Sequence, residues 1–319
     1  MSDLAKGPEF DFIRLVARQG QRRHPLVRVG PGDDCAVVGD FAISTDACVE
    51  NVHFRREWIN AEEIGWRAAS AALSDLAAVA AEPVAILVSL VFPERDRGEF
   101  AEFVMRGATA AADDVGATLI GGDVAAGEML MIDVVVIGKV DEPVLRSGAR
   151  PGDSVWVTGR LGGAAAAVHA WQNQIPVTPD ARRRYAHPYP RVAAALWLNK
   201  EVTLTAMIDL SDGLYGDAAH LAAASGFRID IDAQAIPIDA GSGATFAHAV
   251  GGGEDYELCF TAPAGQVEQV RARFEAEFSL PLTRVGDVSA GDGVFERASN
   301  GTSRAIGQAG YQHFKEGSR

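Results

Sequence analysis

Apolar and polar positions along the chain switch repeatedly between a two-residue and a helical period. Residues 41–45 (FAIST) predict a short strand, and the alanine-rich run 61–81 predicts a helix stopped by Pro83. Residues 84–92 are apolar and β-branched, hence a buried strand, and 96–115 predict a helix ended by Gly116. Residues 129–140 predict a long strand that carries Asp133. The turn-rich stretch 145–153 (LRSGARPGD) is the candidate domain boundary. Alternation then restarts, with strands at 154–158, 206–210, 228–231, 256–261 and 283–288. Helices are predicted at 164–171, after the two prolines of 187–190, at 213–225 and at 266–278, followed by a polar tail. The pattern predicts an α/β (α+β-like) chain of two domains, 1–145 and 146–319, with mixed sheets flanked by helices. Alternation does not choose between parallel and split topologies.

A chain of 319 residues is long enough for two ordinary cores without disulfide staples. Its formal net charge of −14 argues against a nucleic-acid footprint or docking on anionic lipid. Only Lys6, Lys139, Lys200 and Lys315 are lysines, and none follows a G-x-x-x-x-G run, so a P-loop is excluded. Any nucleotide phosphate must then be held by metal ions, arginines and backbone amides. Cys35, Cys48 and Cys259 are scattered and read as reduced thiols of a cytoplasmic protein. Neither a signal peptide nor a membrane span is read.

The chemistry sits in small clusters of Asp beside Gly, Ser or Thr: GPGDD (30–34), STD (44–46), LSDLAA (73–78), GGD (121–123), DLSDG (209–213) and GGED (252–255). Strand ends followed by glycine suit a surface of hard oxygen ligands for Mg²⁺. Several carboxylates converging without cations would raise one another's pKa. Each cluster alone reads more readily as a turn or cap, with Asp212 as a helix N-cap. Asp75 resists that reading, because it lies inside an apolar helix where a bare carboxylate is costly. VTGRLGG (157–163) fits either close strand–helix packing or phosphate binding. His53 alone reads as structural, Cys259 as core, and the basic run 182–184 as a solvated face.

The ordered set GDDCAV, ISTD, VHF, LSDLAA, GGD, RSGARPGD, DLSDG, GGEDYEL and GYQHF resembles the thiamine-monophosphate kinases, within the aminoimidazole-ribonucleotide synthetase-like superfamily of ATP users. The resemblance runs from about Gly30 to Phe314. It departs at the proline in GPGDD and at Val124, where the family often carries isoleucine and threonine. It implies that two-domain fold, phosphorylation of thiamine phosphate by ATP, several Mg²⁺ ions and a homodimer. By motif, the implied Mg²⁺ ligands are Asp34, Ser44, Thr45, Asp46, Asp75, Asp123, Asp209 and Asp212. The implied ATP contacts are Gly122, Asp123, Arg146 and Ser211, and the implied thiamine phosphate contacts are His53, Glu254 and Tyr311. No catalytic base or nucleophile is assigned, since a phosphate monoester is already largely ionised near neutral pH. The alternatives are another ATP-using synthetase, or a maturation factor, of the same superfamily.

Overall fold

The computed structural model of the protein describes residues 24–307 together with Phe12, Leu15 and Gly310. Strands β1 (Val27–Val29), β2 (Ala36–Val38), β3 (Phe41–Val49), β4 (Glu82–Phe92), β5 (Thr118–Ala126) and β6 (Met131–Lys139) form one sheet, in the order β1-β2-β3-β6-β4-β5. All its neighbours are antiparallel except β4 and β5. The second sheet joins β7 (Asp153–Thr158), β8 (Ala206–Asp209), β9 (Arg228–Asp232), β10 (Leu258–Pro263), β11 (Leu282–Ser289), β12 (Val294–Arg297) and β13 (Ser303–Ala305) in the order β13-β12-β9-β11-β7-β10-β8. Only β9 and β12 run parallel there. Both sheets are therefore mixed, as the alternating pattern anticipates.

Helices α1 (Ala61–Ala78) and α2 (Glu99–Asp114) cover one face of the first sheet. The second half contributes α3 (Gly163–Gln172), α4 (Pro179–Ala186), α5 (Val192–Glu201), α6 (Leu214–Ser225), α7 (Phe246–Gly251) and α8 (Gln266–Phe278). Helix α1 opens with a reciprocal capping box between Asn60 and Glu63. Fourteen of its eighteen residues are buried, so it is enclosed on all sides rather than along one stripe. Its alanines pack into the first core, while Ala77 joins Trp156 and Phe260 in a core of the second half. Gly65 and Gly107 let α1 and α2 cross in near backbone contact: a Cβ on Gly65 would lie 1.8 Å from the Val104 carbonyl oxygen.

The structure shortens and adds to the expected elements. Helix α1 stops at Ala78, not 81, because Ala80 turns left-handed (φ 53°) and Ala81 N–H bonds back to the Leu76 carbonyl. That is a Schellman closure with alanine where glycine is usual, so no glycine announces it. Strand β5 hides in TLIGGDVAA, whose glycines and aspartate read as turn. Helix α4 was signalled by Thr178 as N-cap and Pro179 in the first turn, but its arginines masked any apolar face. The polar tail contains the hairpin β12–β13, which extends the second sheet.

Ladder partners point the same way. Asp46 pairs with Val134, which is buried beneath the helices, so Ser44, Asp46 and Cys48 face inward. Ala47, Asp133, Ser89 and Asp123 fall in one row across the sheet on the opposite, open face. Phe41 and Met131 are exposed on that face, and Ile120 and Val124 along the edge strand β5.

The α1–α2 crossing predicts that Gly65→Ala forces the two backbones apart. Its urea unfolding midpoint should fall, at a cost of about 1–3 kcal/mol typical of overpacking. An unchanged midpoint would show that the crossing is not tight.

Candidate active site

Three carboxylates from three distant stretches of chain converge. Asp34 follows β1, Asp75 lies near the end of α1, and Asp209 ends β8 in the second sheet. One carboxylate oxygen from each lies within 4.8 Å of the others. Each has a dedicated donor. Arg146 holds Asp34 with a two-pronged contact, Nε to Oδ2 at 3.1 Å and Nη2 to Oδ1 at 2.6 Å. The Ser44 hydroxyl donates to Asp75 at 2.6 Å, and the Ser74 hydroxyl donates to Asp209 at 2.6 Å. Helix α1 thus supplies one cluster member directly and orients another.

The electrostatics show what the cluster lacks. Burial, then the negative charges of Asp209 and Asp34, pushes the Asp75 carboxyl well up from its ordinary value. Burial, then the Asp34 charge, pushes Asp209 up to about 7, and burial with Asp34 pushes Asp33 up to about 6. Burial also raises Asp46. A protein that intended these groups to stay neutral has no need to gather them beside two serine donors. An all-oxygen donor set, short of positive charge, fits a hard divalent cation such as Mg²⁺.

A cavity of about 570 Å³ opens beside the cluster. Asp46, Asp75, Asp209, Ser211 and Asp212 line it together with His53 and Glu254, so most of the motif residues share one space. Phe54 of the VHF motif lines it too, as do Trp58 and Tyr185, which no motif contained. Trp58 stacks on Trp171 at 5.0 Å, and Tyr185 meets both rings edge-on. These rings come from the 51–60 loop, α3 and α4, and no local spacing links them.

His53 accepts the Val49 N–H at Nδ1 (2.9 Å), and its carbonyl accepts the Tyr185 hydroxyl (2.9 Å). A neutral imidazole bonded in this way carries its proton on Nε2. Glu254, in a left-handed conformation (φ 74°), is ion-paired to Arg67 of α1. Arg67 is itself 2% exposed, lies over the Tyr185 ring at 3.9 Å and donates to the Tyr185 carbonyl at 2.7 Å. Sequence reasoning missed Arg67, although a lone arginine inside an alanine-rich buried helix is itself a signal that an acidic partner must exist.

Other expected residues are placed apart. Thr45 touches the cavity, but its hydroxyl donates to Asp133 on the open face of the first sheet. Gly122 and Asp123 lie exposed on the edge strand β5, in register with Val88 and Ser89, and do not line the cavity. Tyr311 lies outside the described residues. Asp212 is not the N-cap of α6, which is Gly213; the Asp212 N–H donates to Asp217 at 3.1 Å instead. The glycine-rich 157–163 turn serves packing: a Cβ on Gly159 would collide with the Glu257 carboxylate, and one on Gly162 would meet the backbone of α7. The run 182–184 is not one solvated face. Arg182 grips Glu63 with two hydrogen bonds, Arg183 stays at the surface, and Arg184 turns inward to Asp239 and Glu257. Cys259 is core, with no exposed surface.

Two outcomes follow from this geometry. Asp75 and Asp209 bind protons more tightly folded than unfolded, where an aspartate titrates near 3.9. Their neutral forms favour the fold fully below that value, and the benefit is lost as pH rises through about 7 for Asp209. The metal-free melting temperature should therefore carry a component that falls between about pH 4 and pH 7, smaller in Asp209→Asn, and Mg²⁺ should raise the melting temperature more at the higher pH. A Mg²⁺ shift independent of pH would contradict the cluster. Separately, Arg67→Ala should cost about 3–5 kcal/mol, as for a broken buried ion pair. Adding Glu254→Gln should restore part of that loss, whereas strict additivity in urea melts would mean the two side chains do not interact.

Comparison with known proteins places this architecture. The family model described as AIR synthase related protein, N-terminal domain, matches residues 32–140, and that of the C-terminal domain matches residues 150–298. A thiamine-monophosphate kinase of Mycobacterium tuberculosis is 36% identical over 80% of this chain and 81% of that protein. The structure of AaThiL complexed with AMPPCP and TMP superposes with a TM-score of 0.83 at 30% identity, covering 96% of this chain and 97% of that one. The hydrogenase maturation protein HypE of E. coli gives a TM-score of 0.74 at 20% identity over 84% of this chain and 85% of its own, a likeness of fold alone. The chain belongs to the AIR synthase related proteins and, among them, to the thiamine-monophosphate kinase family.

Proposed function

We propose that this protein transfers the terminal phosphoryl group of ATP to thiamine phosphate, yielding ADP and thiamine diphosphate. The observation that carries the reading is the composition of the 570 Å³ cavity, in which a carboxylate cluster and an aromatic wall share one space. Thiamine phosphate joins a dianionic phosphate to a flat, cationic ring system. Its phosphate belongs near cations held by the carboxylates. Its rings suit Phe54, Trp58 and Tyr185, since an aromatic face attracts an organic cation. His53 and Glu254 offer polar contacts on the same wall, and Tyr311 belongs to the proposed substrate set.

The acceptor phosphate has a second pKa near 6 and needs no strong base. The barrier is repulsion between two polyanions, which positioning and charge neutralisation lower. When bound, Mg²⁺ would supply that neutralisation, held by Asp34, Asp75 and Asp209 with Ser44, Asp46 and Asp212 beside them, while Thr45 and Asp123 would hold an ion from the open face of the first sheet. Arg146 spends Nε and Nη2 on Asp34, which fixes its plane and leaves Nη1 for a nucleotide phosphate. Gly122, Asp123 and Ser211 complete the proposed ATP contacts. In-line transfer then proceeds directly between the two substrates, with no enzyme nucleophile.

Residues 1–145 form a metal- and ATP-binding and dimerisation domain, and 146–319 complete the nucleotide and substrate site. The open face and edge of the first sheet, with Phe41, Met131, Ile120 and Val124 exposed, are the contact of a cytoplasmic homodimer.

Asp75→Asn keeps the shape and the Ser44 hydrogen bond but removes a charge. With purified protein, ATP, Mg²⁺ and thiamine phosphate, chromatography should show thiamine diphosphate formation reduced by about 100-fold or more, at an unchanged or higher melting temperature. Near-normal turnover in this variant would remove Asp75 from the site. A folded wild-type protein that makes no thiamine diphosphate would overturn the function.

A further inference from the structure

A second cavity, of about 310 Å³, shares the Glu254 wall with the first. Arg183, Arg184, His187 and Arg191 line it, a concentration of basic groups in a chain of net charge −14. Its foundation is Glu257, which has no exposed surface. That carboxylate accepts from Arg191 at 2.8 and 2.6 Å, from Arg184 at 3.4 Å and from the Thr158 hydroxyl at 2.7 Å. Arg184 Nε is held in addition by Asp239 at 3.1 Å. One buried carboxylate thus pins two guanidinium planes. Nη2 of Arg184 and Nη1 of Arg191 are left with no protein partner among the described residues.

Glu257 and Asp239 balance Arg184 and Arg191, so the pocket offers oriented N–H donors rather than an excess of positive charge. Glu254 is already paired with Arg67. Asp255 turns its carboxylate to the Gly162 N–H, at 2.9 and 2.8 Å, and burial drives its pKa well up. Arg183 sits at the surface with only a 3.4 Å contact to Asp180 of its own helix. The cavity therefore presents fixed, pre-oriented N–H edges and an exposed cation, Arg183, among its lining residues. Two N–H edges held at fixed positions suit an oxyanion with several acceptor oxygens, such as a phosphoryl group.

We propose that this pocket binds a small phosphate-bearing anion, at a site separate from the carboxylate cavity, with Arg184 and Arg191 as the donors and Arg183 as the gate. The anion is either free phosphate or the diphosphate end of a larger molecule. Because Glu254 belongs to both walls, an occupant would be felt in the main cavity. The site itself requires neither metal nor turnover.

The test is calorimetric titration of the full chain with inorganic phosphate and with inorganic pyrophosphate, in chelator, so that no metal bridges an anion to the carboxylates. Arg184→Gln leaves Glu257 with Arg191 and Thr158, and should weaken binding by about tenfold or more. Arg183→Gln, which disturbs only a surface contact, should weaken it by about threefold. Asp75→Asn should leave the affinity within about twofold of wild type. Tighter binding of pyrophosphate than of phosphate would support the site and assign a diphosphate-bearing ligand; equal binding would support it and assign a single phosphoryl group. Absence of binding to the wild type at ~10 mM of either anion, or loss of binding in Asp75→Asn but not in the arginine variants, would overturn the proposal.

Discussion

Helix α1 has water on almost none of its surface, so each polar side chain on it needs a partner from elsewhere in the chain. Glu63 closes the capping box and takes Arg182 of α4. Arg67 takes Glu254 and the Tyr185 carbonyl, Ser74 takes Asp209, and Asp75 takes Ser44. Only Ser70 keeps a buried hydroxyl without a partner among the described residues. These contacts reach the first sheet, the second sheet, α4 and the 251–256 segment. The same requirement that makes the helix tolerable inside the protein ties the two halves together at the site.

That arrangement also dictates the electrostatics. The contacts from α1 deliver Asp75 and Asp209 to one point, where Asp34 is already fixed by Arg146. Burial and mutual repulsion then raise Asp75 and Asp209 together. Each carboxylate has its donor, but the cluster as a whole is short of positive charge, which suits it to a cation. In the proposed reaction, a chain with four lysines and no P-loop would handle polyphosphates by recruiting positive charge as metal rather than building it in as side chains. Where the protein does build in positive charge, it uses arginine anchored on buried carboxylates, as at Arg146 on Asp34 and at Arg184 and Arg191 on Glu257.

Local sequence is informative wherever the physics is local. Strand and helix periods and the glycine beside each aspartate are short-range features, and they made the mixed α/β architecture and the carboxylate clusters legible. The turn at Ala80 and strand β5 were not legible, because tertiary packing imposed a left-handed alanine and an extended glycine-rich edge against local preference. The ordered motifs, taken together, pointed to the family that the comparisons place the chain in.

Which residues meet was decided only by the folded chain. Asp34, Asp75 and Asp209 are far apart in sequence, and their convergence depends on a buried helix clasped between two sheets. The side to which Thr45 and Asp123 point follows from strand register, in which a shift of one residue reverses every side chain. The aromatic wall of Phe54, Trp58 and Tyr185, and the buried Arg67 that braces it, gather residues from a loop and two helices. By itself the sequence determined the types of group and the local shapes that carry them. Distances of a few ångströms, on which repulsion, ion pairing and ligand binding all depend, were decided only by packing between segments remote along the chain.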